Sequence, residues 1–112
     1  MTENDSFRLV RETLGDELLA RLLNLSLSSV SLYASGQCPT PCLIGHRMEW
    51  LSLVSDDLRG GYNPAGVRAW FHRQRLQLDQ LSPVDFLGQN WEPTDPNAAA
   101  VARLAAALRG PG

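Results

Sequence analysis

Three times in its second half the chain places a capping side chain directly before a proline: Asn63-Pro64, Ser82-Pro83 and Asp95-Pro96. Proline loses nothing at the first position of a helix, where its missing amide would have no partner and its fixed φ already suits the helix. Each pair therefore marks a helix start, and the three starts predict helices in "PAGVRAWFHRQ", "PVDFLG" and "PNAAAVARLAAALRG", the last with an apolar stripe of Val101, Leu104 and Leu108. No stretch alternates polar and apolar residues well enough to be a strand. The expected class is all-α, a small helical bundle.

The first half follows the same logic. Asp5 or Ser6 is expected to cap a helix reaching to about residue 14, with Phe7, Leu9, Val10 and Leu14 apolar and Gly15 ending it. Asp16 is then expected to offer its carboxylate to the free amides of "ELLARLLN", where Leu18, Leu19, Leu22 and Leu23 recur at helical spacing around Ala20. Asn24 and Leu25 make a turn, Ser26 caps a third helix, and Gly36 stops it, so the second and third helices form a helix-turn-helix pattern. In "LIGHRMEWLSLVSDDLRGG", Leu43, Ile44, Met48, Trp50, Leu51, Val54 and Leu58 predict a long amphipathic helix, the spine of the bundle.

With 112 residues, 44% of them hydrophobic, the chain has the apolar surface for one cooperative folding unit. Its net charge is −2 and all ten basic residues are arginines, which excludes the broad cationic surface of a sequence-blind nucleic-acid binder. Between Arg21 and His46 lie 24 residues without a formal charge, but serines, prolines and glycines interrupt the apolar run that a membrane span needs. The polar start "MTENDSF" lacks the pattern of a signal peptide, so the expected location is cytoplasmic. Cys38 and Cys42 with His46 give a C-x3-C-x3-H spacing. A structural zinc site needs four ligands, usually with a tighter cysteine pair, and two reduced cysteines in a proline-braced loop is the preferred reading. No nucleophile motif and no glycine-rich phosphate loop is present, so neither an enzyme nor a cofactor is expected.

The third helix raises the functional question. Val30, Tyr33 and Ala34 can turn inward, leaving Leu27, Ser28, Ser31, Leu32 and Ser35 as an outer stripe without a charge. Sequence-discriminating base contacts come from longer side chains, at about 1–3 kcal/mol each. Exposing a leucine forgoes roughly 1.5–3 kcal/mol of burial. Leu27 and Leu32 therefore point to a protein contact, either with a second copy in a homodimer or with another partner, unless the chain's own first helix or the "CPTPC" loop covers them. Ser28, Ser29 and Ser31 are the residues through which weak DNA contact would run.

"VRAWFHRQRLQLDQLSPVDFLG" resembles the toxin-binding domain of Xre/MbcA/ParS-type antitoxins. The matching roles fall to Val67, Trp70, Leu78, Ser82, Pro83 and Leu87, and "LLARLLNLSLSSVSLYASG" is similar to the Xre-like helix-turn-helix upstream in that family, with Ala20, Leu25, Val30 and Tyr33 at its core positions. The resemblance spans roughly residues 14 to 110. It departs from the family where a glycine commonly precedes the Ser/Thr-Pro pair, since Gln80-Leu81 stands there. The resemblance implies an Xre-like region over 1–61, a toxin-binding region over 62–112, and a RES-domain toxin, an NAD-consuming enzyme, as the partner whose pocket the antitoxin obstructs. A stand-alone Xre-like transcriptional regulator is the alternative.

Within the second half, Asp79, Asp85, Glu92 and Asp95 stand in a stretch without a base. They are either solvated loop residues or a collar complementary to a cationic pocket. One of Trp70 and Phe71, adjacent on a helix, is expected inside and the other near the surface, with Trp70 the core residue. Trp91, in the loop "GQNWEPTDP", is read as an interface anchor. Arg103 and Arg109 are the cations available to a toxin's carboxylates.

Overall fold

A computed structural model describes residues 4–36 and 39–108 of the chain. Among them lie seven α-helices and no strand: α1 (Asn4–Leu14), α2 (Asp16–Leu23), α3 (Leu27–Ala34), α4 (Cys42–Arg59), α5 (Pro64–His72), α6 (Pro83–Leu87) and α7 (Pro96–Ala107), with one 3₁₀ turn at Leu76–Leu78. The all-α expectation holds. Asp5 and Ser6 fall inside α1, so neither caps it. Gly15 breaks it with φ +84° and ψ 159°, a conformation essentially reserved for glycine.

Capping follows the sequence at some helix starts and fails at others for a visible reason. Ser26, Asn63 and Ser82 each accept a bond from the amide three residues on. Asp16 does not cap α2, because its carboxylate takes the Arg11 guanidinium at 2.6 Å and 3.1 Å instead, a charge-assisted pair that outcompetes neutral amides. Asp95 stands at the N-cap of α7 but turns its carboxylate back onto the Glu92 amide at 2.9 Å, fixing the preceding turn.

The spine is α4, packed against α1, α5 and α7. Its buried face runs Ile44, Arg47, Met48, Leu51, Val54, Ser55 and Leu58. Because α1 packs on both α4 and α5, the buried cluster continues across Gly60-Gly61 from Phe7, Val10 and Leu14 to Val67, Trp70 and Phe71. Both aromatics of α5 are buried, contrary to the expectation that one would reach the surface. Helix α5 is covered by α1 on one side and α6 on another, so two positions about 100° apart both find cover, their rings meeting edge to face at 5.2 Å. On α7 the buried face is Ala98, Val101 and Ala105; Leu104 is half-buried and Leu108 exposed, so small residues make the close approach that the leucines were expected to make.

Candidate interaction surfaces

Helices α2 and α3 are joined by residues 24–26, with Asn24 left-handed at φ 58° and the Leu25 amide bonded back to the Ala20 carbonyl at 2.9 Å. This closure fixes how α3 leaves α2. Val30 is fully buried and Tyr33 and Ala34 are half-buried against the core, so the outer face is the one the periodicity assigned. On it Leu27 is 51% exposed and Leu32 37% exposed. Neither is buried by the described residues of α1 or of the segment before α4.

The three serines of this face differ. Ser29 accepts the Ser26 hydroxyl at 3.0 Å, and Ser31 accepts a bond from Arg11 at 3.1 Å, while Ser28 is exposed. Among the described residues Arg11 is the one cation that bonds to α3, and its charge is already met by Asp16; the same hydrogen bond raises the Arg11 pKa and lowers that of Asp16. A phosphate approaching this edge would have to compete with a carboxylate already in place.

In the second half, Asp79 is exposed just after the 3₁₀ turn, Asp85 is exposed on α6 at 3.7 Å from Arg21, and Glu92 is exposed in the loop before α7. Each stands on a different element. Arg103 is exposed on α7, and Arg109 lies outside the described residues. The anchor reading of Trp91 is corrected: the side chain is only 2% exposed, donates its indole N–H to the Leu22 carbonyl at 2.7 Å, and packs on Trp50 with ring centroids 4.8 Å apart. A loop backbone at the surface does not oblige its side chain to face outward.

What holds that loop down is Arg47, which the sequence reading missed. Its guanidinium is buried, donates to the Trp91 carbonyl at 2.6 and 2.9 Å, the Leu23 carbonyl at 3.0 Å and the Gln89 carbonyl at 3.4 Å, and lies 5.2 Å from the Trp91 ring centre. Burial pushes its pKa down, and the nearby Glu92 and Asp95 carboxylates push it back up. Glu92 therefore has an internal role beside any external one. The signal was available, because Arg47 falls in the i, i+3, i+7 series of Ile44, Leu51, Val54 and Leu58, a charged residue at a core position.

The residues carrying the resemblance, Val67, Trp70, Leu78, Ser82, Pro83 and Leu87, are all buried and hold α5, the 3₁₀ turn and α6 together. At Gln80-Leu81, where the resemblance departs, Gln80 has a φ of 66° following Asp79 at 59°, so this loop takes the left-handed path with ordinary side chains.

Beside its buried face α4 carries a partly exposed apolar edge, in which Trp50 is buried while Leu43 and Leu53 are exposed. Leu43, Trp50 and the 70%-exposed Leu53 line an open groove of about 390 Å³ together with Pro93, Glu49 and Glu92. Cys42 and His46 are exposed at the start of α4, Cys38 lies outside the described residues, and among those described no three His, Cys, Asp or Glu side chains converge as metal ligands would. Likewise, no described helix is long and apolar enough to cross a membrane. No protein-family model, curated protein or solved structure matches the chain.

Proposed function

We propose that the chain is the antitoxin of a type II toxin–antitoxin pair, a cytoplasmic, non-enzymatic protein that binds a RES-domain toxin and blocks its NAD-consuming pocket. The observation that carries the protein-binding part of this reading is the outer face of α3, which offers two exposed leucines and no charge where a DNA reader would present arginine, lysine or amides. The identity of the partner rests on the resemblance of the second half. Exposed Asp79, Asp85 and Glu92 suit a cation-lined cleft such as one that takes the pyrophosphate of NAD, and Arg103 suits carboxylates at its rim. Two-fold pairing through Leu27 and Leu32 is the way a homodimer would cover the α3 face.

Co-expression with the neighbouring reading frame tests the proposal. Growth arrest by that gene product alone, abolished by this chain, with both proteins co-purifying, is the expected result. A neighbour that is harmless, or toxic and unaffected, overturns it.

A further inference from the structure

Two surface features share no residue and are opposite in shape and charge. The first is a knob. Between α5 and α6 the backbone folds back on itself, with the Arg75 amide bonded to the Leu81 carbonyl at 3.2 Å and the Gln80 amide to the Arg75 carbonyl at 2.8 Å. This closure pushes Leu76 outward until it is 80% exposed, the most exposed large apolar side chain described. Two cations flank it. Arg73 is exposed, and the Arg75 guanidinium lies 4.8 Å from the Trp70 ring centre with Nε and Nη2 buried and without hydrogen-bond partners. No ion pair is formed by either arginine among the described residues.

The second feature is the groove on α4, lined by the apolar Leu43, Trp50, Leu53 and Pro93 together with His46, Thr94 and the carboxylates of Glu49 and Glu92. Its volume of about 390 Å³ accommodates a leucine together with the aliphatic stem of a neighbouring arginine. The knob thus carries what the groove lacks, an apolar projection between positive charges. The groove carries what the knob lacks, an apolar recess with negative charges.

We propose that the Leu76 knob of one copy of this chain seats in the α4 groove of a second copy, with the exposed Arg73 facing Glu49 and Glu92. The contact is head-to-tail. Each pairing leaves one knob and one groove free, so association continues with concentration instead of stopping at two chains, unless a ring closes. It is separate from the α3 face, shares Glu92 with the toxin-facing carboxylates proposed above, and does not depend on that partner.

The head-to-tail geometry has a signature that a two-fold contact lacks. In a background carrying Leu27→Ser and Leu32→Ser, so that α3 contributes nothing, one variant loses the knob (Arg73→Glu, Leu76→Asp) and another the groove (Glu49→Arg, Leu53→Lys). All four altered side chains are exposed, so the fold is retained, and circular dichroism verifies it. In sedimentation velocity the background protein is expected to grow in size with concentration, and each variant alone to remain monomeric with its association weakened at least about tenfold. An equimolar mixture is expected to form dimers and nothing larger, the intact knob of one variant filling the intact groove of the other. A background protein that stays monomeric at every concentration, or a mixture that yields no dimer, overturns the proposal. Toxin binding, read separately with α3 intact, is untouched by either outcome.

Discussion

Replacing Arg47 by methionine keeps much of the apolar stem and removes the guanidinium, and the consequence can be worked from its contacts. Replacing a buried ion by an apolar side chain is often neutral where its partner is replaced too, but here the partners are backbone carbonyls that remain. The Leu23 and Trp91 carbonyls are left buried without their donor, at about 1–3 kcal/mol each, while release of the guanidinium from its own desolvation offsets part of the loss. The net expectation is about 3 kcal/mol, a large share of the roughly 5–15 kcal/mol that stabilises a domain of this class. At about 4 °C per kcal/mol, Tm should fall by about 12 °C. Tryptophan emission should shift to the red as the Trp50–Trp91 pair loosens, since Arg47 fixes the carbonyl of the residue whose ring forms that pair. Arg47→Lys, which keeps the charge but reaches fewer carbonyls, should fall between. Thermal denaturation followed by circular dichroism and by fluorescence makes the measurement. A methionine variant within about 3 °C of wild type, or more stable than it, would refute the idea that this one side chain clamps the loop.

Three other predictions rest on single features. Gly15→Ala should cost about 1–3 kcal/mol in chemical denaturation because φ +84° excludes a Cβ, whereas Gln80→Gly should gain up to about 1 kcal/mol by relieving φ 66°; the opposite signs would contradict the backbone assignment. Asp16, whose pKa is lowered by Arg11, stabilises the fold at pH values above the ordinary carboxylate range and ceases to do so as pH falls through its folded value. Asp16→Asn should therefore lose no more than about 0.5 kcal/mol at neutral pH and nothing in acid, since the pair is half-exposed, and a difference that persists in acid would exclude this pairing as its cause. In gel-shift titrations with DNA from upstream of its own gene, the chain alone should bind no tighter than about micromolar at physiological salt, and Ser28→Ala with Ser31→Ala should change little; nanomolar binding lost on those substitutions would establish the regulator instead.

The starts of α3, α5, α6 and α7 were legible because the three proline pairs and Ser26 state their geometry within four residues, and the spine was legible because α4 spans many turns. The outward direction of Leu27 and Leu32 followed from periodicity alone. What escaped were contacts between residues distant in sequence. Nothing near Trp91 announces that Leu22 will accept its N–H across 69 positions, and nothing near Asp16 announces that Arg11 will claim it before the α2 amides do. Phe71 was misplaced because the number of neighbours around α5 is a tertiary property. Arg47 was the one missed residue whose position in the helical repeat already marked it. The groove was overlooked because Leu53 alone, outside the main stripe of α4, acquires meaning only when Pro93 is folded beside it.

The claim on which the account turns is that the uncharged face of α3 is built to meet a polypeptide. Its most direct measurement is the dissociation constant of the two-fold pairing proposed through α3, taken in a Leu76→Asp background that removes the knob, for the chain with α3 intact and for a variant also carrying Leu27→Asp and Leu32→Asp, both verified as folded. The account predicts tight pairing with α3 intact and a loss of at least about a hundredfold in the variant, as burial of two leucines implies. Equal affinities for the two proteins would contradict it.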